Sequence, residues 1–405
     1  MRISLLRQRE DFNAISAATI AHFCKTYFGG DYHVTWNSPP SHERSAARGT
    51  TWRCNEYLNI IFPSSPDPRN FDPIRREFTQ SPIAWRRPLQ HVYVALALAP
   101  LSSRLLAHAS LHIQPALPDE NHWIIVPGNN RIRLLNAARQ QTFVVKKSGF
   151  PDSSLDAELE VRQSSAASGI RIPKLLEVHS QDHWFSEQFV SATPINRLSD
   201  RRIAVNCATD ALSQLRTLID STHADVAATD YLDGLVAAVG QGMERIACLD
   251  SPTKQRVLRV VDGLVRGVNW PATVPTALTH GDFQPANLLA NDAGVWTIDW
   301  EFAGRRYAPY DLLVFQLESR RPRGLFDRLQ TWLSRPPALP DGSSIDWPGL
   351  PDGSAAAEWV CGNLYLLEEL RAQLDQLVDR PIRCPGVGFR TVLNEVEMWL
   401  RSKSD

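Results

Sequence analysis

The 405-residue chain has no Cys-x-x-Cys pair and no cysteine beside a group of histidines. Its six cysteines, Cys24, Cys54, Cys207, Cys248, Cys361 and Cys384, are dispersed, so neither a zinc knot nor a disulfide framework is indicated, and reduced thiols in a cytosol are expected. Neither sign of charge is in excess: 43 Lys plus Arg stand against 44 Asp plus Glu, and the basic residues are spread along the whole length. A nucleic-acid binder would show a basic excess or stripe, so nucleic acid is excluded as an expected partner. Long apolar runs are also missing. The longest, VYVALALAPL (92–101), is half a membrane span and ends in Ser-Ser-Arg, which suits a buried core element and leaves no membrane span. The start, MRISLLRQREDF, turns charged after two leucines, too soon for a signal-peptide core. A cytoplasmic protein is expected. No G-x-x-x-x-G-K-[ST] occurs either, which argues against a P-loop enzyme.

What remains is an ordinary globular composition, 43% apolar and 21% charged. Residues 1–120 mix short apolar runs with Pro-rich breaks, NSPPSHERS (37–45) and FPSSPDPRNFDP (62–73), and form an N-terminal region of unassigned fold. Its Arg75-Arg76 and Arg86-Arg87 pairs, the second beside Trp85, read as solvated faces, with an anionic-ligand patch as the alternative. From Trp123 the texture changes to short strand-like runs, WIIV (123–126), RIRLL (131–135) and TFVVKK (142–147), separated by turn residues. A helix is predicted over 153–165 from the capping pair Ser153 and Asp156, and two further strands over KLLEVH (174–179) and HWFSEQFV (183–190). Beyond ATP (192–194), apolar spacing of three and four predicts helices near 203–221, 227–249, 253–267, 309–319, 356–377 and 387–402. The expected class is α+β. A small antiparallel sheet lobe (121–191) precedes a larger helical lobe (192–405).

One stretch, HGDFQPANLLANDAGVWTIDWE (280–301), gathers His280, Asp282, Asn287 and Asp299. NLLA and VWTID read as the strands of a hairpin, with Asn287 opening one and Asp299 closing the other, so both side chains can come together. An amide oxygen and a carboxylate are hard donors that suit Mg²⁺, whose other ligands come from water and nucleotide phosphates. Asp282 is then left to face an acceptor, the arrangement of phosphoryl transfer. The competing structural reading makes these residues turn caps. His280 joins Asp282 in the candidate catalytic set in a supporting role, since a single His beside such a loop is as readily a hydrogen-bonded scaffold as a chemical group. A metal-dependent hydrolase is weaker, because this region lacks a pair of closely spaced histidines.

HGDFQPANLL followed by VWTIDWEFAGRRYAPYDLL resembles the catalytic loop and metal segment of the aminoglycoside phosphotransferase and choline kinase family, which has a protein-kinase-like two-lobe fold. The likeness runs over roughly residues 123–375. It implies that Asp282 is the catalytic base, that Asn287 and Asp299 bind Mg²⁺, and that Asp311 in PYDLL anchors the helix that follows. Phe283 stands where the family usually has Leu. The small lobe should hold a phosphate-contacting Lys and a Glu that fixes it. Strand alternation puts Lys146 on the face of Val144, and Lys147 on that of Phe143 and Val145; the family's small residue two before its Lys favours Lys146. Glu158 and Glu160 compete as partner. The resemblance favours Glu158, fifteen residues before Pro173. SEQFV (186–190), with Glu187 and Phe189, would be the hinge that offers backbone groups to adenine. PGNNRIRLL (127–135) has one Gly where a protein kinase has G-x-G-x-x-G, which points away from protein substrates. The expected function is transfer of the γ-phosphate of ATP, with Mg²⁺, to a hydroxyl of a small molecule; the alternative is a catalytically silent nucleotide-binding scaffold. Glu368, Glu369 and Asp375 share one predicted helix, either as a solvated face or as a site for a cationic acceptor.

Overall fold

WIIV reads as unbroken apolar because both faces of its strand are covered. Trp123 and Ile125 pack on one side with Phe23, Phe143 and Trp184, while Ile124 packs on the other with Leu58, Phe62 and Leu98. The computed structural model describes residues 2–37, 49–80, 83–164, 168–335, 338–344 and 346–402. Most of the NSPPSHERS segment and residue 165 of the predicted helix lie outside the described residues. The chain forms two compact units, Met1–Leu155 with Pro173–Arg201, and Asp156–Ile172 with Arg202–Asp405.

The first unit is built on a nine-stranded sheet. Its strands are β1 (His33–Asn37), β2 (Thr50–Asn55), β3 (Ile60–Pro63), β4 (Ala109–Gln114), β5 (Trp123–Pro127), β6 (Arg131–Asn136), β7 (Gln141–Lys146), β8 (Leu175–His179) and β9 (Trp184–Gln188). They lie in the order β1-β4-β2-β3-β5-β6-β7-β9-β8. Neighbours pair antiparallel, with Ile61 opposite Ile125 where β3 meets β5. The first 120 residues therefore add four strands to the sheet of the expected small lobe, and the boundary expected near residue 120 falls inside that sheet. Helices α1 (Ile3–Arg9) and α2 (Phe12–Phe28) cover the face of Trp123, Phe143 and Val145. The other face carries α3 (Asp72–Thr79), α4 (Arg86–Leu98) and the short α5 (Ser103–Leu106). In α4, Val94, Ala97 and Leu98 enter the core. The VYVALALAPL run is thus a core element along one face only. Asp72 pairs with Arg75 at 3.2 Å on an exposed face, as expected for that basic pair.

Helix α6 (Ser153–Gln163) begins where the Ser153 signal places it. The second unit then contains α7 (Arg201–Thr222), α8 (Ala228–Arg245), α9 (Ser251–Val265), α10 (Tyr310–Gln316), α11 (Leu325–Leu333), α12 (Ala355–Asp375) and α13 (Val387–Arg401). A leucine-rich core joins α8, α9 and α10 to α13, with Leu364, Leu367 and Leu370 of α12 near its centre. A three-stranded antiparallel sheet, Ala224–Ala227, Thr273–Thr279 and Gly304–Tyr307, borders that core. The hairpin Leu288–Asn291 and Gly294–Thr297 pairs Leu288 with Thr297, close to the expected NLLA and VWTID strands. The class is α+β as expected, with the sheet first and the helices after it, and the His280 segment lies between α9 and α10. Among the described residues no helix is long and apolar enough to cross a membrane.

Candidate active site

The site grows from the end of strand Thr273–Thr279. Directly after it, Gly281 takes φ 81°, and a Cβ there would lie 2.2 Å from the Phe302 carbonyl oxygen, so the turn requires glycine. Asp311, fully buried in the first turn of α10, accepts the His280 N–H at 2.5 Å and the Gly281 N–H at 2.9 Å. Its expected anchoring role thus includes holding the loop itself. Burial pushes the Asp311 carboxyl above its usual range, against the pull of His280 and the backbone N–H groups.

His280 is fully buried. Its Nε2 lies 2.9 Å from the Ile298 carbonyl oxygen, and its Nδ1 accepts the Asp282 N–H at 3.1 Å. An acceptor at Nδ1 requires the neutral tautomer with the proton on Nε2. Both nitrogens are used on backbone, so His280 is a positioning residue that ties the loop to the end of the hairpin.

Asp282 is partly exposed, and three groups orient its carboxylate. The Nδ2 of Asn287 donates to Oδ2 at 2.9 Å and also to the Asp282 carbonyl at 2.9 Å. The Nε2 of Gln284 donates to Oδ2 at 2.9 Å. Arg320, just beyond α10, donates its Nε to Oδ1 and its Nη2 to the Gly281 carbonyl at 3.0 Å. Since the amide nitrogen of Asn287 is committed to Asp282, its side-chain Oδ1 is the atom left to meet a cation. Ile298 donates its N–H to the backbone carbonyl of Asn287 at 3.0 Å, which brings the start of Asp299 close to Asn287. Asp299 adopts φ 71°, a left-handed conformation that Asp tolerates better than most residues other than Gly. The donor set, one amide oxygen and one carboxylate, fits a hard cation that takes its remaining ligands from water and phosphate. Among the described residues no three His, Cys, Asp or Glu side chains converge to hold a metal on their own.

The Arg320 guanidinium continues inward, with Nη1 2.8 Å from Oε1 of the buried Glu369. Burial alone would lower its pKa, but the carboxylates of Glu369 and Asp282 outweigh that and raise it well above the usual value. Glu369 also accepts from Tyr310 Oη at 2.9 Å and Gln373 Nε2 at 2.9 Å. Its neighbour Glu368 accepts from Tyr231 Oη and lies 3.9 Å from Arg306 Nε. Burial pushes the Glu368 carboxyl up, with Arg306 and Tyr231 opposing it. Both expectations for this pair are corrected: neither glutamate is on a solvated face or open to a cationic acceptor, because helix α12 is buried all round at that turn. Asp375 is exposed and 3.5 Å from Arg371. Arg320 was missed in the sequence, where it sits in an undistinguished SRRPR run; nothing local marks it as the link between Asp282 and Glu369.

In the first unit, Lys146 and Lys147 face opposite ways, as alternation predicts. The Nζ of Lys146 lies 2.6 Å from Oδ1 of Asp152, which also stands 2.7 Å from His183 Nδ1. Lys147 is fully buried, with its ammonium on the buried carboxylate of Glu10, and Arg9 binds the other oxygen of Glu10 at 2.8 Å. Arg9 also donates to the Asn129 carbonyl at 2.8 Å, in the β5–β6 turn. Glu158 is buried and 2.9 Å from Arg162 Nε on its own helix. Lys146 and Glu158 thus each have a partner within their own unit. The hinge expectation is corrected in detail. Glu187 sits in β9 between two pairing strands, opposite Thr142 and Leu175, and Phe189 donates its N–H to Gln140 at 2.9 Å. Backbone N–H groups for a base would have to come from Val190 onward.

The Phosphotransferase enzyme family model matches residues 128–340. Among solved structures, the chain is similar to an apo thermostable mutant of aminoglycoside phosphotransferase APH(4)-Ia, with 14% identity, 70% of this chain and 94% of that chain covered, and TM-score 0.44. It is also similar to a choline/ethanolamine kinase family protein from Mesorhizobium loti, with 14% identity, 76% and 99% covered, and TM-score 0.37. A third likeness is to aminoglycoside 2'-phosphotransferase-IIIa in its GDP complex, with 14% identity, 68% and 91% covered, and TM-score 0.40. No curated protein matches the chain. The family model covers more than half of the chain and contains the whole loop and hairpin that carry Asp282, Asn287 and Asp299, and the chain therefore belongs to the phosphotransferase enzyme family.

Proposed function

We propose that the protein transfers the γ-phosphate of ATP to a hydroxyl of a small molecule, with Mg²⁺. The observation that carries this reading is the Asp282 carboxylate, partly exposed and aimed by Asn287 Nδ2, while the side-chain Oδ1 of the same Asn287 is left for a cation. Asp282 accepts a hydrogen bond from the acceptor hydroxyl, points the hydroxyl oxygen at the γ-phosphorus, and receives the proton as the new P–O bond forms and the bond from that phosphorus to the β–γ bridging oxygen breaks, with ADP as the leaving group. Arg320 holds that carboxylate in one rotamer, which suits an aspartate whose main task is orientation. Asn287 and Asp299 would hold Mg²⁺, which neutralises charge on the phosphates. Lys146, on the strand face of Val144, is the group for the phosphates; the expected Glu158 partner is instead on Arg162, and Asp152 is the acid on the Lys146 ammonium. The acceptor is an amino sugar, a sugar or an amino alcohol. Glu368 and Glu369 are committed internally, and this weights the reading toward an acceptor held by hydroxyl hydrogen bonds.

One observation favours the rival reading of a silent nucleotide-binding scaffold: Asp282 already has a cation on it. Calorimetric titration with a non-hydrolysable ATP analogue, with and without Mg²⁺, alongside ADP release over a panel of amino sugars, sugars and amino alcohols, separates the two. Asp282→Asn should keep nucleotide binding and lose turnover by roughly 10²- to 10⁴-fold. Asp299→Asn should lose Mg²⁺-dependent binding as well as rate. Nucleotide binding without turnover on any acceptor would favour the scaffold. Unchanged binding and turnover in both variants would make the loop structural and end the kinase reading.

A further inference from the structure

Helix α4 is apolar on two faces. Val94, Ala97 and Leu98 pack into the core, while Leu89, Val92 and Leu96, at helical spacing on the opposite side, are 62%, 59% and 48% exposed. Trp85, one turn before Leu89, is 64% exposed, and Leu101 and Leu105 beyond the helix are 82% and 87% exposed. A helix that is hydrophobic all round belongs in a core or against lipid, and a patch of this extent marks a contact surface. It is presented rigidly. The buried Arg53 donates to the Pro100 carbonyl at 2.9 Å and to Ser103 Oγ, and Asn55 donates to the Leu106 carbonyl at 3.1 Å, so two side chains of β2 pin the α4–α5 corner that carries Leu101 and Leu105.

The charged side chains of the segment that carries the patch have one sign. Residues 78–118 contain Arg86, Arg87 and Arg104 and no Asp or Glu, in a chain whose charges otherwise balance. Arg86 and Arg104 are exposed, and the Arg86 guanidinium lies 5.2 Å from the Trp85 ring. From this geometry we infer that the α4–α5 face binds the surface of an anionic lipid bilayer, with Trp85, Leu89 and Leu101 entering the interface and the arginines meeting headgroup phosphates. A second copy of the chain is a poor occupant. Antiparallel pairing would set Arg86 and Arg87 against Arg104 of the other copy, and parallel pairing would set like ends together, with no acid in the segment to neutralise either.

Co-sedimentation of the full chain with phosphatidylcholine vesicles, with and without phosphatidylglycerol, tests this. The protein should pellet with the phosphatidylglycerol vesicles and dissociate as salt is raised. The double variant Leu101→Ser/Leu105→Ser should weaken partitioning by roughly tenfold or more, and Arg86→Gln/Arg104→Gln should abolish the preference for anionic vesicles. Trp85→Ser, at the other end of the patch, is a second apolar variant, and Leu258→Ser, 52% exposed in the second unit, should change nothing. Thermal unfolding midpoints equal to the parent's show that the variants are folded. Failure to pellet with either vesicle, or pelleting unaffected by the patch variants, overturns the proposal. So does a concentration-dependent dimer that Leu101→Ser/Leu105→Ser dissociates in the absence of vesicle binding, which would assign the face to a second copy.

Discussion

Lys146 and Lys147 are neighbours in sequence with opposite fates, and the pleat of β7 is the reason. Phe143 and Val145 point toward α2, and Lys147 continues that face into a buried ion pair with Glu10. Lys146 continues the face of Val144 and meets Asp152, half of whose side chain is exposed. Removing Lys147 strands the fully buried Glu10 carboxylate, which costs about 3–5 kcal/mol, whereas removing Lys146, itself 9% exposed, leaves Asp152, half exposed and able to rehydrate, at a cost of about 0–1 kcal/mol. Lys147→Ala should therefore depress unfolding free energy sharply, measured by denaturant titration, while its folded fraction keeps turning over. Lys146→Ala should unfold like the parent and lose turnover. Equal loss of activity per folded molecule in both would remove the division of labour. Alternation was legible in the sequence because it needs only the strand. Glu10 was not, since a partner 137 positions away is set by tertiary packing.

Among the elements, the strands from Trp123 to Gln188 and most of the later helices were legible, because their apolar periods and turn residues agree with their final burial. The helices of residues 1–120 were not. Helix α2 buries Phe12, Ile15, Ile20 and Phe23, yet also buries Ser16 and Thr19, whose hydroxyls bond back to Phe12 and Ile15 carbonyls, and this blurs its apolar stripe. Helix α12 misled differently: Glu368 and Glu369 look like a wet face until Arg320, Tyr310 and Tyr231 are brought against them. Its contact with α13 is close enough to test. Gly362 faces Trp399, and a Cβ there would lie 2.5 Å from the indole ring, whose Nε1 donates to Asn363 at 2.7 Å. Gly362→Ala gains helix propensity but overpacks, so it should destabilise by about 1–3 kcal/mol in denaturant unfolding. A stabilised variant would mean that α13 can retreat without loss.

At the level of the whole molecule, the nine-stranded sheet changes what counts as a removable piece. The family match begins at residue 128, one residue after β5 ends. A chain trimmed to that boundary keeps Asp282, Asn287 and Asp299 but loses β1 to β5 together with α1 and α2. The cut would turn β6, an interior strand paired with β5 along Ile132–Asn136, into a raw edge with unsatisfied N–H and C=O groups. It would also strip the cover from Ile132, Leu134, Phe143, Val145 and Trp184. An open edge beside a bare apolar face is a template for strand addition between molecules. The fragment 128–405 should therefore elute as aggregate on size exclusion while the full chain does not, and a monodisperse, active fragment would show that the first strands are dispensable. On that expectation the segment that resemblance selects does not carry its own cover from water, and solubility screening guided by family boundaries would discard the candidate site together with the exposed sheet edge.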